Sequence, residues 1–166
     1  MKKIIATFLF TIALSAFGYG QKDYPNTIFN IGFGLGGNYG GFGTKTIIGH
    51  KNSGLLLGLG TGGGGLWYEI GGQISYKWMY LNLGYGIIGT SDNPLTNDNT
   101  ELIKGKMALT GVMINLGKSK RYFLDLGIGY DWDGTYTANT YTNEKDKFHT
   151  IDAAIGFGIR LGEFKK

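Results

Sequence analysis

A chain of 166 residues with 16 basic and 12 acidic side chains carries a formal charge of only +4, too small an excess to indicate a nucleic-acid binder. Glycine supplies 31 residues and Asp, Glu, Lys and Arg together only 17%, whereas an ordinary soluble domain has about 7% glycine and about 25% charge. Two prolines and the lack of a three-residue glycine period exclude collagen, 42% hydrophobic and 14% aromatic residues argue against wholesale disorder, and the absence of cysteine excludes disulfides, thiol nucleophiles, iron–sulfur ligation and a lipidated cysteine.

Met1-Lys2-Lys3 is a short basic n-region, Ile4 to Phe17 an apolar h-region, and Gly18 and Gly20 are small residues ahead of a cleavage point before Gln21. Residues 1–20 are therefore expected to be an export signal and 21–166 a single domain; cleavage after Ala16 or Gly18 is the alternative. Loss of Lys2 and Lys3 with the signal leaves 14 basic against 12 acidic side chains. An uncleaved helical anchor is disfavoured, because the apolar run is shorter than the ~20 residues that span a bilayer. No later stretch supplies 18 uninterrupted apolar residues, so a helical span is not expected there either.

The rest of the chain alternates with period two. The pattern predicts strands near 27–37, 42–50, 54–61, 66–76, 78–88, 101–116, 121–135 and 147–162. Gly40-Gly41 and Gly62 to Gly65 blur the second and third, leaving a six-strand alternative. Where the alternation is clearest, one face is greasy: Leu81, Leu83, Tyr85, Ile87; then Leu124, Leu126, Ile128, Tyr130, Trp132; then Ile151, Ala153, Ile155, Phe157, Ile159, Leu161. The opposite face is mostly small or polar: Tyr80, Asn82, Gly84, Gly86, Ile88; then Asp125, Gly127, Gly129, Asp131, Asp133; then Thr150, Asp152, Ala154, Gly156, Gly158, Arg160. Glycine and charge cannot fill a soluble core, whereas a transmembrane barrel turns its large apolar residues to lipid and keeps a polar interior. The predicted fold is all-β, an antiparallel up-and-down transmembrane β-barrel of about eight strands.

Connections near Lys51-Asn52-Ser53, Tyr76-Lys77-Trp78 and Lys118-Ser119-Lys120 are short, while Gly89 to Thr100 and Tyr136 to Asp146 are long and polar, with Asn93-Pro94 marking a bend. This is the alternation of short periplasmic turns and longer outer loops, and an even strand number puts both chain ends on the periplasmic side. Trp67, Tyr68, Trp78, Tyr80, Tyr122, Trp132, Tyr136 and Phe164 are candidates for interfacial aromatic girdles.

This arrangement resembles the small eight-stranded outer-membrane barrels of Gram-negative bacteria, the OmpA/OmpX-like group, and especially Gly-rich forms from Bacteroidetes. The signal ending at Gly20-Gln21 looks like exports of that phylum. The segment Ile155 to Phe164 resembles the alternating, aromatic-ended strand read by the barrel-assembly machinery, although Lys165-Lys166 follow the aromatic. The resemblance implies location in the cell outer membrane, with outer-membrane lipid as surroundings and the assembly machinery as partner during biogenesis. No peptidoglycan-binding domain is expected after the barrel, and so no wall-anchoring role carried by one.

By inward parity Lys45, Glu69, Gln73, Asp125, Asp131, Asp152 and Arg160 are expected to form an interior polar network, with Arg160 facing Asp125 or Asp152, since an unpaired buried charge is costly. Eight strands enclose too little lumen for general diffusion. The histidines, His50 and His149, fall at opposite ends; Ser91 and Glu144 are the side chains available to His149, and nothing fixes a catalytic geometry. No catalytic residue, metal site or cofactor is expected. The glycine groups lack the strand–GxGxxG–helix context or a following Gly-Lys-Ser/Thr, and Lys118, Lys120 and Arg121 sit in a hairpin turn suited to lipid head groups or solvent. The expected role is non-enzymatic, structural or surface-interacting through the outer loops with a ligand the sequence does not name. The alternatives are a lipid-modifying barrel enzyme, a small channel or accessory subunit of a larger complex, and a secreted soluble barrel of inverted parity.

Overall fold

The structure is a computed structural model that describes residues 27–63, 65–92, 100–136 and 148–161. The proposed signal, the greater part of both long loops, Glu144 and Phe164 lie outside the described residues.

Eight strands, β1 (Thr27–Gly36), β2 (Gly41–His50), β3 (Ser53–Gly62), β4 (Gly65–Tyr76), β5 (Met79–Asp92), β6 (Thr100–Leu116), β7 (Tyr122–Tyr136) and β8 (Phe148–Arg160), pair in chain order and close as an antiparallel barrel. The six-strand alternative is thereby excluded. The alternation that defines each strand also fixes its register, because a slip of one residue would exchange the lipid-facing and lumen-facing sets. Closure joins Asn30–Leu35 of β1 to Arg160–Ile155 of β8.

Large apolar side chains cover the outside. Phe33, Leu59, Ile70, Leu83, Ile128 and Phe157 are each half-exposed or more, which is the surface of a barrel solvated by lipid rather than by water. An arginine for Ile70, at the middle of β4, is expected to lower stability in lipid by about 2–4 kcal/mol. Urea unfolding of the refolded variant in vesicles measures it, and a loss below that range would argue against lipid at this face.

The first end of the barrel carries the turns at 51–52, 77–78 and 117–121, together with Thr27 and Leu161, whose N–H donates to Phe29 O at 2.7 Å. The second carries the connections after β1, β3, β5 and β7. Here the wall is uneven. The β4–β5 ladder stops at Glu69↔Gly86 while β5 runs on to Asp92, and β8 starts at Phe148, well before its first partner on β1 at Ile155. At the closing seam β8 thus runs roughly 20 Å of extended chain past the end of β1, whereas β4 continues four residues past Glu69 to Gly65, paired with β3. Bulges at Ile87/Gly89, Lys104/Lys106 and Asp131/Gly134 interrupt the long ladders of β5–β8 towards this end. Residues 89–92 are consequently strand, not the start of a loop.

Three inward or buried positions correct the sequence reading. Tyr80, at 3% exposure, points into the lumen, and Trp67 shares that parity, so neither belongs to an aromatic girdle. Ile87 is buried beside Ile88, because the bulge breaks the alternation there. The lumen is also less polar than its glycines and carboxylates imply: Tyr39, Tyr80, Leu109, Met113, Phe123 and Ala154 form one apolar cluster inside it. A lumen this narrow is packed with side chains, and side chains without a water partner are better apolar.

Candidate functional site

The interior is built in rows. Following the ladders sideways, Gly158, Gly32, Lys45, Gly58, Glu69, Gly86 and Gly105 face inward in one row, which climbs as it goes round because the strands are tilted. The next comprises Asp125, Gly156, Gly34, Gly43, Gly60 and Trp67. Each long polar side chain has glycine beside it, and the space so left admits something no strand supplies.

That something is the β1–β2 connection. Gly37–Tyr39 forms a single 3-10 turn, reversed at the left-handed Gly40 whose N–H donates to Gly37 O at 2.9 Å. The turn folds into the lumen, with Asn38 and Tyr39 wholly buried. A β-carbon at Gly58 would stand 2.9 Å from Asn38 O, and one at Gly32 3.2 Å from the Tyr39 hydroxyl, so the inward glycines of β1 and β3 make its berth.

Polar groups latch it. Tyr39 OH donates to Asp125 Oδ2 at 2.6 Å, and the Gly37 N–H donates to both Asp152 oxygens at 3.2 and 3.1 Å. Lys45 forms an ion pair with Asp125 in which both side chains are essentially inaccessible. The Lys45 ammonium lies 4.9 Å from the ring centres of Tyr39 and Tyr80, over their electron-rich faces. Asp125 thus receives a hydroxyl and an ammonium across the lumen, and a charge-assisted pair of this kind is much stronger out of water than in it.

Of the other residues expected inside, Glu69, Gln73 and Asp131 are each 2% exposed. Gln73 Nε2 donates to Ser75 Oγ at 2.9 Å. Neither Glu69 oxygen nor Asp131 Oδ1 has a hydrogen-bond partner among the described residues. Arg160 stands over the Phe123 ring at 5.6 Å, near the first end, while Asp152 serves the turn at the second. Sequence reasoning missed Tyr39 and Asn38, and left Tyr80 and Asn82 out of the expected polar network. Tyr80 and Asn82 lie on the inward face by alternation alone, but nothing local signals that a connection will turn inward except the flanking glycines.

Above the turn, where β1 stops short, lies an open cleft of about 500 Å³. Leu35, Phe42, Trp67 and Ile88 give it apolar walls, and Asp131 and Asp152 give it carboxylates. His149 is exposed and stacks on Tyr130, with ring centres 6.0 Å apart. His50 is exposed at the opposite end, and no group of three or more metal-ligating side chains occurs among the described residues. Comparison with protein-family models, curated proteins and solved structures returns no match.

Proposed function

We propose that this is a non-enzymatic integral outer-membrane barrel with an occluded lumen, acting in a structural or surface-contact role through its loop-bearing end. One observation carries the reading: large apolar residues cover the outside while the ionisable side chains Lys45, Glu69 and Asp125 are buried within. A water-soluble barrel needs the reverse.

The export signal at 1–20 and the even strand number support delivery to the outer membrane, with the first end periplasmic, and the aromatic-ended 155–164 supports handling by the barrel-assembly machinery. Within this reading Lys45, Glu69, Gln73, Asp125, Asp131, Asp152 and Arg160 serve packing and closure of the lumen rather than proton transfer. Asp125 and Asp152 already hold the inward turn, which also weighs against free conduction. A lipid-modifying reaction would call on His149, whose ring lies stacked on Tyr130. The cleft and the loops beyond it offer the surface for a ligand.

Membrane fractionation combined with gel migration before and after boiling tests the proposal. The protein is expected in the outer-membrane fraction, with a folded form that migrates differently from the boiled one. A soluble periplasmic protein whose migration boiling does not change would overturn it, and would direct attention to an internal apolar ligand.

A further inference from the structure

The turns that close the first end share a feature unrelated to closing the lumen. In each, one lysine adopts left-handed backbone, with φ 53 at Lys51, 55 at Lys77 and 52 at Lys120. A β-carbon is strained in that region, and tight hairpin turns fill it with Gly, Asn or Asp. This chain has 31 glycines and places them at the left-handed positions 40 and 117, yet all three of these turns keep lysine. The charge is retained against the preference of the backbone.

Lys118 and Arg121 add two cations, and all five side chains are exposed. Among the described residues the three turns hold no acid, and the nearest in sequence, Asp125, points into the lumen. The second end mixes signs, as in the Lys106–Asp133 pair at 2.9 Å. Successive turns lie two strands apart on the rim, roughly 10 Å at ~4.8 Å per strand. That is about one Debye length at physiological salt, so their fields add where a bilayer surface lies. Aromatic side chains sit at the same level. Trp78 and Tyr122 are 55% and 47% exposed, and the Lys77 ammonium is 5.4 Å from the Tyr76 ring centre. Aromatic rings next to cations at strand ends mark the headgroup layer of a membrane.

We infer that this rim is a docking site for the phosphate headgroups of anionic phospholipids, with Lys51, Lys77 and Lys120 as its anchors and Lys118 and Arg121 widening the positive field. Ammonium and guanidinium groups at the edge of the apolar band meet lipid phosphates there, and the attraction weakens as salt rises. The inference rests on the membrane reading above. Failure of that reading shows first, as the absence of any vesicle-bound, heat-shifted form.

The test compares urea unfolding midpoints of the full barrel in phosphatidylcholine vesicles with and without phosphatidylglycerol. Phosphatidylglycerol is expected to raise the wild-type midpoint at low salt, and high salt to abolish the rise. The combined Lys51→Asn, Lys77→Asn, Lys120→Asn variant is expected to lose more than half of the rise while matching or exceeding the wild type in pure phosphatidylcholine, since Asn relieves the turns. The matching Arg variant, which keeps the charge, should keep the rise. The inference is overturned if the Asn variant retains the full rise, if it loses stability equally in both lipids, or if inorganic phosphate added to phosphatidylcholine vesicles reproduces the effect.

Discussion

Asp125→Ala is expected to lower the unfolding free energy by about 3–5 kcal/mol, the scale for removing one partner of a buried ion pair. Lys45 would then hold an ammonium at 1% exposure with its paired oxygen gone, and the Tyr39 hydroxyl would lose its acceptor. Most of the loss comes from the orphaned charge rather than from the pair itself, because two ions taken out of water repay their desolvation only when together. It follows that removing both charges is far milder than removing one. Lys45→Met with Asp125→Asn, which leaves the tyrosine an acceptor, should recover most of the stability lost in Asp125→Ala. Urea unfolding of the two single variants and the double in the same lipid gives the coupling energy directly. A double variant as unstable as the sum of its parts would mean that the pair is not the unit described.

Tyr39→Ala should unplug the barrel. Truncating a fully buried aromatic side chain costs about 3–5 kcal/mol, and Tyr39 is at the centre of the lumen's apolar cluster as well as being bonded to Asp125. The glycines that face it, Gly32 and Gly156, offer nothing to fill the space. Single-channel recording should accordingly show higher conductance for Tyr39→Ala than for the wild type. Tyr39→Phe separates the two contributions: it removes one buried hydrogen bond, worth about 1–3 kcal/mol when the acceptor is left behind, but keeps the ring in place and should not raise conductance. Equal currents from the Ala variant and the wild type would show that another part of the chain closes the lumen.

The wall was legible in the sequence because its code is local. Residue i and residue i+2 share a face, so Ile151, Ile155 and Phe157 declare the lipid side without knowledge of any partner strand, and seven of the strands begin and end within one or two residues of their periodic segments. β5 exceeded its segment because the bulge at Ile88 interrupts the alternation, and the polar run Gly89-Thr90-Ser91-Asp92 looks like loop until β6 is seen to pair with it. The interior was legible only as a list. Parity brings Lys45, Glu69, Gln73, Asp125, Asp131, Asp152 and Arg160 to one side, but which of them meet depends on diameter, stagger and the inward turn, none of which is a property of neighbouring residues. The approach of Tyr39 to Asp125 spans 86 positions and that of Gly37 to Asp152 spans 115. Tyr80 was offered to a girdle against its inward parity because an aromatic residue at a strand end is equally at home on either side, and the glycines at 111 and 127 that accommodate its hydroxyl belong to other strands.

The six residue pairs between β1 and β8 form the shortest ladder in the barrel, and they join its first and last strands. Loop closure over that separation is entropically the most demanding step of assembly, rewarded by the fewest wall hydrogen bonds. The inward turn supplies a second fastening at the same seam. Gly37 and Tyr39 leave the first hairpin and bind Asp152 on β8 and Asp125 on β7, while Lys45 on β2 grips Asp125 as well. The seam is stitched from inside as well as along its edge, so side chains of the N-terminal hairpin hold the last two strands in the register that the ladder alone fixes with six pairs.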